Sequence, residues 1–255
     1  MFEYDFNTYV SFGQMILAGL VLLYLEGSGK FRLGYSKFRK GAGISTRLAM
    51  FLIYFIPLAV YAGGWYARGM PSSMYHLALL SAFTLHFGKR VLESLFLHKY
   101  SRPMGLVTTI MITGGYSFLA WNSERIHDGF VTAAQGNDAS LYPTIVAGGI
   151  LFLAGQVMNL RHHILLANLR RDSANKSEYR VPEGGLFPLV ACPHYLFEII
   201  AWIGVAVMSG HLLVWGMVFI MAAYLTGRSR ATTVWYRENV PDYPARRKAL
   251  IPFVY

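Results

Sequence analysis

Three short stretches of this chain set groups able to exchange protons among residues that are otherwise apolar. The segment LFPLVACPHYLFEIIAWIGVAVMS (186–209) carries His194, Tyr195 and Glu198. On a helix His194 and Glu198 are four apart and share one face. In LHFGKRVLESLFLHKYSRP, Lys89 can pair with Glu93 at i, i+4, while His86 and Arg90 share another face. The run GQVMNLRHH (155–163) puts Asn159 in register with both Gln156 and His163. Hydrocarbon is a costly place for ionisable groups, so such sets mark candidate functional sites. Snorkelling to the membrane surface accounts for Lys89 and Arg90 but not for a glutamate, which points to the polar wall of a cavity. The amides of Gln156 and Asn159 serve equally well as glue between membrane helices. Arg170, Arg171, Lys176 and Arg180 precede the break Pro182-Glu183-Gly184-Gly185. Arginine forks suit phosphates, so Arg170, Arg180 and Arg228 are the candidates to hold a phosphate-bearing ligand against a buried substrate.

The elements that must position these groups are membrane helices. The chain is 55% hydrophobic and only 14% charged, with mean hydropathy +0.38, whereas soluble domains carry about 25% charged residues. Apolar runs near membrane length predict an all-α polytopic protein with seven transmembrane helices at 8–26, 47–67, 75–97, 104–121, 142–160, 186–208 and 210–227. Alternate loops then hold 21 of the 23 Lys and Arg residues, leaving Arg68 and Arg125 on the other side. Under the positive-inside rule the N-terminus is outside and the C-terminus cytoplasmic. No repeat or linker divides the chain, so 1–255 reads as one transmembrane domain. The polar stretch 122–141 reads as a plain connector, the fifth span as a helix continuing past the membrane through HHILLANLRR, and the aromatic tail after Ala231 as packed on the cytoplasmic face.

Several classes are set aside. A net charge of +10 could suggest nucleic acid, but its loop distribution assigns it to topology. There is no G-x-G-x-x-G behind a strand and no G-x-x-x-x-G-K-[ST]. The eight histidines lack the spacing of a metal site. A single cysteine, Cys192, permits no intrachain disulfide. The first apolar run follows Glu3 and Asp5 rather than a basic segment, which predicts a retained helix in place of a cleaved signal.

The segments YRVPEGGLFPLVACPHYLFEIIAWIG (179–204) and DYPARRKALIPFVY (242–255) resemble the steroid 5α-reductase family, and weaker similarity runs back to Gly29-Lys30. The resemblance implies a seven-helix membrane fold and NADPH-dependent reduction of a C=C bond conjugated to a carbonyl in a lipid. It also implies that Asn159, Arg170, Arg180, Glu198, Trp202, Arg228 and Tyr236 line the dinucleotide site. Three departures from the steroid-reductase pattern stand out. Ile53-Tyr54 stands for its Gln-Glu pair, Phe87 for a tyrosine, and His194 for an asparagine, where His194 joins the cofactor contacts. HFGKRVLESLFLHKYS (86–101) is instead similar to the trans-2-enoyl-CoA reductase branch, in which Lys89, Arg90, Glu93 and Tyr195 match functional positions. Tyr54, Glu93 and Tyr195 are thus the candidate proton donors. The expected activity is 5α-reduction of a 3-oxo-Δ4 steroid by a monomer in the endoplasmic reticulum or, in a bacterium, the inner membrane. The alternatives are an enoyl-CoA reductase of fatty-acid elongation, an isoprenylcysteine-type methyltransferase, and a membrane binding protein without catalysis.

Overall fold

A computed structural model of the chain describes residues 4–30, 33–34, 38, 42–100, 103–134, 139–171 and 179–255, without the side chains of 127–134, 139, 170 and 171. Among the described residues there are seven α-helices and no strand: α1 Phe6–Ser28, α2 Thr46–Ala67, α3 Met74–Leu92, α4 Leu106–Ala134, α5 Tyr142–Arg171, α6 Pro193–Ser209 and α7 Leu212–Asn239. Four of them, α1, α2, α5 and α7, are long and apolar enough to cross a membrane. Local chemistry sets their ends. The Asp5 carboxylate caps α1 by accepting from the Thr8 amide at 2.8 Å, and Gly29 closes it in the left-handed conformation at φ 79°. Ser73 caps α3, which runs on into one π-helical turn, Glu93–Leu97.

Cα packing divides the chain into two compact units. The first comprises Met1–Arg32, Leu153–Trp202 and Trp215–Tyr255. Here α5 and α6 approach so closely that a Cβ on Gly155 would lie 2.5 Å from the Ala201 amide nitrogen. The second comprises Leu33–Phe152 and Ile203–Val214, with α2 packed on α3 and α4. Bonds to the Glu124 carboxylate at 2.7 and 3.0 Å hold the Arg68 guanidinium in this unit, and the Tyr75 hydroxyl donates to the Ser209 carbonyl at 2.8 Å.

Three expected boundaries are corrected. The sixth span does not begin at 186. Helix α6 starts at Pro193 and has 17 residues, about 26 Å at the usual rise. The preceding residues make turns and a parallel bridge from Val190 to Lys248. Gly184 and Gly185 take positive φ (79° and 52°), and a Cβ on Gly185 would sit 2.5 Å from His162 Nε2, so the break is built in before the apolar run starts. The stretch 122–141 is not a plain connector: α4 continues to Ala134, with Glu124 tied to Arg68. Gly136-Asn137-Asp138 lie outside the described residues. The seventh helix runs past 227 to Asn239 because Trp235 and Tyr236 pack against aromatics outside it. The extension of the fifth span is as expected, α5 reaching Arg171.

Candidate active site

In the second unit the last turns of α3 gather buried charge. The Arg90 guanidinium is paired with Glu93, and its other arm donates to the Tyr54 hydroxyl on α2 at 2.6 Å. The same guanidinium lies over the Tyr54 ring, 4.6 Å from its centroid. Lys89 stands 3.6 Å from Glu93 in the i, i+4 pairing its spacing implies. Tyr54, Arg90 and Glu93 are all buried. Glu93 opens the π turn, and turns of that kind are frequent at functional sites because they re-aim side chains. Beside the cluster runs an aromatic series: Tyr54 near Tyr116, Tyr116 edge-on to Phe87, then Phe83 and Tyr61, the last two stacked at 4.1 Å. Phe87 is thus an apolar ring of this series in the position where a tyrosine was the family expectation.

The first unit holds a second polar set on α5 and α6. The Asn159 side chain donates to the His194 carbonyl at 2.8 Å, fixing the start of α6 to α5. His162 is fully buried between the Met158 carbonyl, at 2.7 Å from Nδ1, and the Leu186 amide, which donates to Nε2 at 3.1 Å. That pattern sets the tautomer with the proton on Nδ1. His163 and His194 face one another at 5.5 Å, and Tyr195 stacks obliquely on His194 at 4.2 Å. Glu198 and Trp202 are buried farther along α6.

Arg228 on α7 is nearly unexposed, and its guanidinium meets Glu26 of α1 at 2.5 Å. Glu26, the acidic residue that ends the first apolar run, was not among the expected site residues. Its signal was present as a carboxylate inside a membrane-length segment, but its partner is 202 positions away. His162 and Arg247 were also missed. Arg247 is buried and donates to the Pro182 carbonyl at 2.8 Å, anchoring the tail to the glycine break.

Tyr236 stacks on Tyr243 at 5.1 Å and 6°, and Tyr179 meets Trp235 edge-on at 4.6 Å. Burial and the neighbouring Cys192 push the Tyr243 phenol up to about 12, with Arg247 opposing. A phenol held protonated by folding stabilises the fold below its unfolded value near 10 and loses that contribution as pH rises toward 12. Tyr243→Phe should therefore flatten the alkaline loss of melting temperature between pH 10 and 12; an unchanged slope would dismiss the burial argument.

The structure brings Tyr54 and Glu93 together through Arg90, and Asn159 together with His194. Arg180 is exposed ahead of the break, while the Arg170 side chain lies outside the described residues.

Residues 102–255 match the model of the family described as 3-oxo-5-alpha-steroid 4-dehydrogenase. The chain belongs to this family. The rat 3-oxo-5-alpha-steroid 4-dehydrogenase 1 is 32% identical over 247 residues, covering 95% of this chain and 92% of that protein. A steroid 5-alpha-reductase of Gossypium hirsutum is 34% identical over 187 residues, covering 69% of each. The very-long-chain enoyl-CoA reductase of Dictyostelium discoideum is 31% identical over 225 residues, covering 84% of this chain and 72% of its own. Membership makes the chain an oxidoreductase and sets aside both the methyltransferase reading and the reading without catalysis. The amide of Asn159, the carboxylate of Glu198, the indole of Trp202 and the imidazole of His194 bring hydrogen-bond donors and acceptors to α5 and α6. The Arg228 charge is neutralised by Glu26.

Proposed function

We propose that the chain is an NADPH-dependent membrane reductase saturating a C=C bond conjugated to a carbonyl in a lipid, with a 3-oxo-Δ4 steroid as substrate. The observation that carries this reading is the buried Tyr54–Arg90–Glu93 set. Because Arg90 donates to the Tyr54 oxygen, the guanidinium polarises the phenol and favours transfer of its hydrogen to a substrate carbonyl. NADPH, when bound, supplies the hydride. As negative charge develops on the carbonyl oxygen, Tyr54 hydrogen-bonds or protonates it, and Arg90 stabilises the phenolate left behind. Glu93 neutralises the guanidinium in the resting protein and fixes its orientation. Tyr195, beside His194, is the second candidate donor. The cofactor contacts are Asn159, Arg170, Arg180, His194, Glu198, Trp202 and Tyr236, with Arg228 acting as a positioning residue through Glu26. The reading further takes the chain as one domain and a monomer, with seven spans and a cytoplasmic C-terminus, the topology being supported by the one-sided distribution of Lys and Arg.

The steroid reading is supported by the steroid reductases among the relatives. The enoyl-thioester reading has its own support in Lys89 beside Arg90 and in the enoyl-CoA reductase relative. Purified protein incubated with NADPH and either progesterone or a trans-2-enoyl-CoA tests both. A saturated steroid is the expected product. Turnover of the thioester alone transfers the assignment to the second substrate class. Thermal stabilisation by S-adenosylmethionine, with none by NADPH, would sink the reductase reading altogether.

A further inference from the structure

The end of α1 carries a feature outside the reductase set. A cleft of about 500 Å³ opens there, lined by Leu20, Leu23 and Tyr24 of α1, Thr226 and Arg230 of α7, and Tyr255. Its origin is a close helix crossing: a Cβ on Gly227 would lie 2.8 Å from the Leu23 carbonyl oxygen and 3.1 Å from the Gly27 nitrogen. Its chemistry is two-sided. Leu20 and Tyr24 are exposed along a helix that buries only Gly19 and Glu26, so this surface meets hydrocarbon. At the rim the Lys30 ammonium donates to the Tyr24 hydroxyl at 2.7 Å and lies 5.0 Å from its ring centroid. Arg230, also exposed, supplies a second cation. The nearby carboxylate of Glu26 is turned to Arg228, and among the described side chains lining the cleft none is acidic.

We propose that this cleft binds an anionic phospholipid, its phosphate held by Arg230 and Lys30 and an acyl chain lying along Leu20 and Leu23. Two cations above an apolar floor, at the end of a membrane-length helix, match an amphiphile with a negative head. A neutral sterol or ketone would use the floor and leave both charges unserved. The proposal stands apart from the reductase reading, because it is read by binding and needs no turnover.

The test is native mass spectrometry of the full chain released from nanodiscs of phosphatidylcholine mixed with phosphatidylglycerol. The expected result is selective retention of phosphatidylglycerol. Lys30→Gln with Arg230→Gln should weaken that retention about thirtyfold, which is about 2 kcal/mol across the two cations. Arg246→Gln with Lys248→Gln, which removes two exposed cations elsewhere, should leave it intact. Equal retention of the two lipids overturns the proposal, as does an equal loss in the control pair, which would mean general surface charge. Displacement of phosphatidylglycerol by a 3-oxo-Δ4 steroid overturns it too, by making the cleft a substrate path.

Discussion

Arg228→Ala lowers the stability of the protein by about 3–5 kcal/mol, the usual consequence of leaving one member of a buried ion pair without its partner. Glu26 and Arg228 are both almost wholly excluded from solvent and meet at 2.5 Å. Removing the guanidinium takes from the buried Glu26 carboxylate the cation it meets. The expected signature is a fall in melting temperature of about 10 °C. Arg230→Ala, two positions on and exposed, should shift it by no more than about 0.5 kcal/mol. Glu26→Gln combined with Arg228→Gln removes both charges, and should recover most of the loss, since a neutral pair avoids the stranded ion. If Arg228→Ala keeps the parent melting temperature and weakens only NADPH binding, the residue is a phosphate contact and the pairing with Glu26 is incidental.

Tyr54→Phe cuts kcat by about 10²–10⁴-fold while the stabilisation conferred by NADPH stays as it was. The substitution keeps the ring beneath the Arg90 guanidinium and deletes only the oxygen that Arg90 bonds at 2.6 Å. A loss of turnover without a loss of folding therefore reports the hydroxyl itself. Glu93→Gln should act through Arg90: the guanidinium loses its anchor, and turnover falls with substrate KM rising. Should Tyr195→Phe abolish turnover while Tyr54→Phe retains at least half, the acid lies on α6 and the second span is only a wall.

Most of the helical framework was legible because hydropathy and charge segregation are one-dimensional signals. The pairing of Lys89 with Glu93 was legible for a related reason, since helical spacing alone places them together. What escaped was whatever depends on a distant partner. Glu26 stands near the end of the first apolar run, and only the fold shows it opposite Arg228. The bond from Arg90 to Tyr54 joins two helices, so neither segment announces it. The start of α6 was misjudged because 186–192 are apolar, and composition cannot distinguish an apolar helix from an apolar turn. Pro188, Pro193 and the two positive-φ glycines were the available warning.

Of the seven apolar residues ahead of α6, Phe187, Leu189 and Val190 bond within their own turns and Leu186 bonds His162, which leaves the amides of Ala191 and Cys192 with no local acceptor. The tail serves instead: Ala191 and Cys192 donate to the carbonyls of Lys248 and Ala249, and Lys248 donates back to Leu189. Backbone that is neither helix nor barrel is tolerated at membrane depth only when protein or trapped water meets its polar groups. The two segments therefore share one exchange unit, in which opening of the tail exposes the amides of Ala191 and Cys192 to solvent deuterium at the same rate. A clipped or displaced tail would reach the polar face of α6 through this mutual dependence, without touching any residue of the reactive set.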